Sequence, residues 1–526
     1  MADRRRNILF ITTDQQRYDA LGCNGGQVAR TPVVDALAAA GIRYERAHCQ
    51  NTTCMPARST ILTGQYSRTH GVRANGIPLP EDAPSIATVL AEAGYRTALI
   101  GKAHFEPMND RELRWQENRL AALGQHGPYR GFEFVNFAGH TGFGMNHYSR
   151  WLKANSPESR LGFARMFDAS PSGETGAPET AYNEIPRDLY HTDWIAESVM
   201  AWLDSLPGED PWFCWMSFPD PHHPWDPPAS ERHRVDWRDL ELPAGHPRSV
   251  ENARKVLSQK PEHWLAWYDG RVPNVDGAPV NFVPAQMTDD QFREINALIH
   301  IENELIDEAC GRVIDRVRSR GWGENTDIIY TTDHGELQGD FGLLYKGPFH
   351  VDAVMRLPLV WLPAASAGHT PAVITQPVGQ VDLAPTFCQI AGVEVPEWME
   401  GEFLPTADDG SRERVLTEWY SQFTSGFKMQ SIYRDGWLCT AYLGDVAPDE
   451  GLPPNEMYGL LGMTPPAPIR YAGTEGELYN LIEDPLQQVN LWDDPAYRAM
   501  RSDLIDDMFA SLPEGRPDPL RVETFG

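Results

Sequence analysis

The sequence predicts an α/β fold: a large, mostly parallel, doubly wound sheet flanked by helices, followed by a smaller C-terminal antiparallel α+β domain. Three observations predict it. Two short apolar runs end in an acid in almost the same words, F-I-T-T-D-Q at 10–15 and I-Y-T-T-D-H at 329–334. Buried parallel strands read as continuous apolar runs, and ligands of open α/β sheets bind beyond their carboxyl ends. Strands then alternate with helical patterns as far as residue 395, the signature of a doubly wound sheet. Beyond it the pattern turns to short alternating runs around a D-G pair at 435–436, a hairpin signal.

The elements follow in order. Ile8–Thr13 is a β-rich strand that stops at Asp14. Thr31–Ala40 opens with T-P and closes at Gly41, matched start and stop signals for a helix. A second helix begins at Cys54, with Pro56 in its first turn, and runs on through S-T-I-L-T-G-Q-Y. Pro84–Ala93 is a helix closed by Gly94, and the stretches 191–205 and Asp289–Ser319 are amphipathic, the latter closed by Gly321. Thr97–Ile100, Trp212–Phe218, Asp327–Thr332 and Leu357–Leu362 complete the strands. The domain reading is 1–395 for the α/β unit and 396–526 for the second. The latter holds Val415–Tyr420, the hairpin S-I-Y-R-D-G-W-L-C-T-A-Y and a helix near 496–511. Two segments, 105–190 and 222–288, are rich in Pro, Trp, Gly and His and weakly periodic. Insertions of that kind on a rigid sheet shape a pocket or an interface.

Composition excludes some functions. With 526 residues and a net charge of −29, the chain is a poor partner for nucleic acid or an anionic membrane. If it handles an anion, it must concentrate positive charge locally. Its seven cysteines are scattered and form no C-x-x-C pair, so neither a disulfide framework nor a cysteine zinc site is expected. The opening M-A-D-R-R-R leads into a short apolar run that ends in an acid, which reads as a strand and not as a signal peptide or membrane span. The expected location is the cytoplasm.

Cys54 admits three fates: a small buried apolar residue, a thiolate at a helix N-terminus, or the precursor of another nucleophile. Asp14 and Asp333 are either N-caps after their strands or oxygen ligands for a divalent cation. Arg58 lies one turn beyond Cys54 and shares its face. A lone lysine is ordinarily solvated, but Lys102, in G-K-A-H directly after a strand, is poorly placed for that. Lys346, in Y-K-G-P, is by itself a lone lysine of the ordinary solvated kind, and His104 and His222 are by themselves loop histidines that can cap a carbonyl. His223 is the rival of His222. Asn75, in G-V-R-A-N-G, reads by itself as a left-handed turn residue.

Cys54-Met55-Pro56-Ala57-Arg58 resembles the C-x-P-x-R signature of type I sulfatases, with Ala57 departing from the Ser often found there. The resemblance extends along the chain in order. It takes in N-I-L-F-I-T-T-D-Q-Q at the start, G-K-A-H at 101–104, P-H-H-P at 221–224, T-T-D-H-G-E at 331–336, Y-K-G-P at 345–348 and G-E-L-Y-N-L-I-E-D-P-L-Q-Q-V-N-L at 476–491. It implies the alkaline phosphatase/sulfatase-like fold. It also implies oxidation of Cys54 to formylglycine by a formylglycine-generating enzyme, and one divalent metal ion held by Asp14, Gln15, Cys54, Asp333 and His334. Gln15 and His334 replace the Asp and Asn of most sulfatases; with Asn75 they are similar to the phosphonate monoester hydrolase branch. A histidine ligand leans toward Mn²⁺ over Ca²⁺. The implied reaction is hydrolysis of a sulfate monoester: a formylglycine hydrate attacks and a hemiacetal sulfate ester collapses. Arg58, Lys102, His104, His222 and Lys346 would serve catalysis; Lys102, His222, Lys346 and Asn75 would bind substrate. Phosphonate monoester or phosphodiester hydrolysis in the same site is the alternative, and a non-catalytic metal-binding scaffold a third reading. A homodimer or homotetramer is expected.

Overall fold

The computed structural model describes residues 5–523 except 109, 111, 165–172, 209, 273–277, 280–281, 421–426 and 445–468. Parts of both expected insertions and of the C-terminal region therefore lie outside the described residues.

Eleven strands build the first two sheets: β1 (Asn7–Thr13), β2 (Ile42–Tyr44), β3 (Ala47–His48), β4 (Arg96–Gly101), β5 (Phe134–Phe137), β6 (Trp212–Ser217), β7 (Thr326–Thr332), β8 (Arg356–Leu357), β9 (Leu359–Leu362), β10 (Ala372–Ile374) and β11 (Val378–Gly379). The large sheet has eight strands in the order β10-β2-β9-β7-β1-β6-β4-β5. All run the same way except β9, which is antiparallel to both neighbours. The run expected at Leu357–Leu362 is broken at Pro358, which has no N–H for a ladder. Its first part joins a small sheet, β11-β3-β8, and its second is the reversed strand.

The central strands are buried on both faces. Ile8 and Phe10 face one core and Leu9 and Ile11 the other, as the two-residue period of a strand requires. The helices Cys54–Thr63, Ile86–Glu92 and Leu383–Ala391 contribute Ile61, Leu62, Ile86, Leu90, Leu383 and Phe387 to the first core. The helices His191–Ser205 and Asp289–Ser319 contribute Ile195, Val199, Ile301 and Leu305 to the second. The longer helix starts in a Thr288–Gln291 capping box. Helix on both faces of a mostly parallel sheet is the doubly wound architecture read from the sequence.

The second insertion builds a core of its own. Trp225, Trp264, Trp267 and Tyr268 pack with Phe292 of the long helix and with Leu337, Phe341 and Tyr345 of the loop that follows β7. Trp225, Trp264 and Trp267 of this insertion are packing material, and what they brace is the loop that bears Lys346.

A separate antiparallel sheet is formed by β12 (Arg414–Trp419), β13 (Lys428–Arg434), β14 (Trp437–Leu443) and β15 (Gly476–Asn480), in that order. Asp435 and Gly436 join β13 to β14, both at positive φ, as the tight hairpin turn demands. Leu416, Ile432, Cys439 and Leu478 meet Leu504 and Met508 of the helix Arg498–Ser511. Val415, Tyr433 and Leu438 of the same sheet join the first core of the large sheet. All seven cysteines are unpaired, and among the described residues no helix is long and apolar enough to cross a membrane.

Candidate active site

The site forms at the carboxyl edge of the large sheet. β1 and β7 are parallel neighbours in the register Thr13↔Thr332, so Asp14 and Asp333 leave the same edge side by side. Both are fully buried. The guanidinium of Arg58 joins them: Nε donates to Asp333 Oδ2 at 2.8 Å and Nη2 to Asp14 Oδ2 at 3.2 Å. Nη1 donates to Lys102 O and Ser217 Oγ, each at 2.9 Å. A buried cation is tolerable only when its donors are met in this way. Burial alone would raise the Asp14 carboxyl, but Lys102 and Arg58 hold it well below the usual carboxylate range.

Cys54 opens the helix Cys54–Thr63, and the N–H of Met55 is met by Asn75 Oδ1 at 3.0 Å. Asn75 therefore acts on the nucleophile position through the helix start. Cys54 Sγ lies 3.1 Å from His334 Nε2 and 3.8 Å from Asp14 Oδ1. Burial, then Asp14, push the thiol up to about 12, against Lys102 and Lys346. A thiolate at a helix N-terminus, one of the three fates open to it, is thus opposed by its surroundings.

Asp14, Cys54, Asp333 and His334 offer ligand atoms that all lie within 4.8 Å of one another, and all four residues are buried. This donor set fits a divalent cation. His334 Nδ1 is 2.9 Å from Gly335 O, so Nδ1 carries the proton and Nε2 is bare. Burial keeps that imidazole neutral, with its pKa lowered. Gln15 sits in the left-handed region at φ 65°, donates its N–H to Asp333 Oδ1 at 3.0 Å, and accepts at Oε1 from Lys346 Nζ at 2.7 Å. Its Nε2 donates to Glu336. Gln15 thus bridges the carboxylate half of the site, through its backbone N–H, to Lys346, through its side chain.

The cationic half stands on loops. Lys102 follows β4, with its N–H on Ser217 O at 2.8 Å. Gly101 before it has φ 110°, and a Cβ there would lie 1.7 Å from Ser217 O, so only glycine lets the chain pass. Lys102 Nζ bonds Asp14 and lies 2.9 Å from His140 Nε2. Lys346 Nζ lies 2.8 Å from His222 Nε2. His223 turns away and pairs through Nδ1 with Glu179 Oε2 at 2.9 Å. Of the two rivals, His222 is the one brought to Lys346. His104, at φ 59°, has no partner at either ring nitrogen among the described residues. Burial lowers His104 and His222 well below an ordinary imidazole, so both are neutral.

Three residues absent from the sequence-based candidates belong to this arrangement. Glu117, in the first insertion, accepts the N–H groups of His104, Phe105 and Glu106 at 3.3, 3.0 and 3.2 Å and so shapes the His104 loop. Glu336 accepts from Gln338 N at 3.1 Å and from Tyr345 N, tying down the loop that carries Lys346. It stands in the T-T-D-H-G-E run, where proximity to Asp333 was the available signal. His140 follows β5 in a weakly periodic stretch that gave none.

The doubly wound sheet thus brings two carboxylates, a helix-start cysteine and three buried cations together at one edge, an arrangement suited to binding an anionic ester. The chain belongs to the sulfatase family, whose family model, described as Sulfatase, matches residues 6–393. It is a sulfuric ester hydrolase by that membership. It is 25% identical over 499 residues to an uncharacterized sulfatase of Escherichia coli (YidJ), covering 92% of this chain and 88% of that one. It is 26% identical over 518 residues to a multifunctional alkaline phosphatase superfamily protein (PehA) of Trinickia caryophylli, covering 95% and 93%. In fold it is similar to the phosphonate monoester hydrolase of Agrobacterium radiobacter, with a TM-score of 0.75 at 22% identity and 96% and 95% of the two chains covered.

Proposed function

We propose that this chain hydrolyses sulfate monoesters with a nucleophile made from Cys54 by oxidation to formylglycine. The observation that carries the reading is the convergence of Asp14, Cys54, Asp333 and His334 within 4.8 Å of one another, with Arg58 bonded to both carboxylates. Asp14, Asp333 and His334 would hold a divalent cation, with Gln15 beside them, and the imidazole favours Mn²⁺ over Ca²⁺. When bound, that ion supplies Lewis-acid polarisation of the transferring group. The aldehyde made from Cys54 supplies, as its hydrate, one hydroxyl for attack and a second for release.

The chain's own residues do the rest. Lys102 and Lys346 bind the anionic oxygens and offset their charge. Lys346 and His222 form one hydrogen-bonded couple. Because an ammonium only donates, His222 Nε2 is the acceptor, and the proton passed to the leaving oxygen comes from this couple as a unit. His104, whose ring nitrogens have no partner among the described residues, would be available to take a proton as the sulfate anion departs. Oxidation of Cys54 falls to a formylglycine-generating enzyme acting before the chain closes around a buried residue. A homodimer or homotetramer in the cytoplasm is the assembly we assign.

The second reading, phosphonate monoester hydrolysis, is favoured by one observation: an imidazole, His334, completes the ligand cluster, with Gln15 next to it. The test is kcat/KM for an aryl sulfate against the matching aryl phosphonate monoester, on Mn²⁺-loaded protein in which mass spectrometry shows the Cys54 peptide as aldehyde. A large sulfate preference is the expected result. A phosphonate preference replaces the first reading with the second. An unmodified Cys54 in fully active protein removes the nucleophile assignment, and inertness toward both esters returns the scaffold reading.

A further inference from the structure

The two lysines of the site are alike in what holds them. Lys346 Nζ is 2.8 Å from His222 Nε2, and Lys102 Nζ is 2.9 Å from His140 Nε2. The two imidazoles stack with centroids 4.0 Å apart and planes 27° off parallel. His140 is 5% exposed, and it comes from the loop after β5, remote in sequence from every other residue of the site.

Elementary hydrogen-bond chemistry fixes the protons. A lysine ammonium has three donors and no acceptor, so the imidazole nitrogen facing it is bare. His140 is therefore the Nδ1–H tautomer, and that N–H has no acceptor among the described residues. His222 is the same tautomer, its Nδ1 directed to His223 O. Burial and Lys102 favour the neutral ring at His140, which agrees with its place as an acceptor. Lys102 thus spends one donor on Asp14 and one on His140, and a substrate oxygen can take the third.

We propose that His140 is a positioning residue of the anion-binding site. Its bare Nε2 takes a second donor of the Lys102 ammonium beside the bond to Asp14, which fixes where the third donor points, and its ring braces His222 from the side. The site then contains two lysine–imidazole couples, Lys102–His140 and Lys346–His222, locked together by the ring stack. The inference rests on the reading of Lys102 as an anion-binding lysine. It adds that the first insertion, through His140, sets where that lysine points.

The test separates the acceptor from the stack. His140→Phe keeps a ring and loses the acceptor, His140→Gln keeps an acceptor and loses the ring, and His140→Ala has neither. The readouts on metal-loaded protein are Ki for inorganic sulfate, KM and kcat for an aryl sulfate, and Tm. We expect His140→Phe to weaken Ki and raise KM about tenfold with little change in Tm, the loss of one hydrogen bond to a charged group. His140→Gln should recover most of that loss, and Lys102→Ala combined with His140→Phe should be no worse than Lys102→Ala alone. A wild-type Ki in His140→Phe overturns the proposal. If that variant does not fold, equal Ki values in the Gln and Ala variants overturn it instead. If Lys102→Ala leaves Ki unchanged, the reading of Lys102 fails and takes this inference with it. If Lys102→Ala weakens Ki while His140→Phe does not, only the inference fails.

Discussion

The two halves of the site are built differently. The carboxylate half, Asp14 and Asp333, stands on the ends of adjacent parallel strands, and ladder register alone puts the two acids side by side. The cationic half, Lys102, His104, His140, His222 and Lys346, stands on loops after β4, β5, β6 and β7, each braced from elsewhere. Glu117 shapes the loop of His104, Glu336 that of Lys346, and the Trp225–Trp264 core packs behind the latter. Arg58 and Gln15 bridge the halves, Arg58 through Lys102 O and Gln15 through Lys346. The difference teaches where change can enter. The strand half is fixed by backbone hydrogen bonds common to the whole sheet, while the loop half depends on side chains that insertions supply. Chemistry should be sensitive to the first and substrate choice to the second.

The comparison can be broken most severely at its centre. Cys54→Ala removes the group both halves serve; we expect activity to fall at least about 10,000-fold with stability within about 1–2 kcal/mol of wild type. Substantial turnover in that variant would sink the formylglycine mechanism. On the strand side, Asp333→Asn leaves Arg58 with one carboxylate partner and the metal with one fewer anionic ligand. A loss of roughly 1,000-fold in kcat, chelator-sensitive residual activity and a fall of about 3 kcal/mol in stability are expected. Unchanged metal content by elemental analysis would take Asp333 out of the ligand set.

On the loop side, Lys102→Ala should cost about 100-fold in kcat/KM for an aryl sulfate and, because the buried Asp14 keeps only Arg58 as a cationic partner, roughly 2–3 kcal/mol of stability. An equal loss for sulfate and phosphonate esters would show that the lysine neutralises charge without choosing between them. Asn75→Ala is the smallest step. It withdraws one acceptor from Met55 N, so about 1 kcal/mol of stability and no more than about tenfold in activity are expected. A larger activity loss at wild-type KM would mean that Asn75 reaches the reacting group itself.

The chain's local pattern determined much of this. Apolar runs stopped by Asp14 and Asp333, the helix opened by Cys54 and Pro56, and the D-G hairpin at Asp435 and Gly436 are all short-range signals. In each, the residues that make the signal also make the element. The sequence could also name Lys102, His104, His222 and Lys346, because G-K-A-H, P-H-H-P and Y-K-G-P resemble sulfatase motifs. What it could not show was orientation. His222 and His223 are adjacent, and only the path of the chain turns one to Lys346 and the other to Glu179. The reversal of β9 and the stack of His140 on His222 join residues far apart in the chain, and the carboxylate of Glu117 closes back on three successive N–H groups from a separate element. Periodicity and turn chemistry report which face of an element is buried, so they carry no information about such pairings. Those are decided by sheet order and by where the insertions pack, once the whole hydrophobic surface has found its partners.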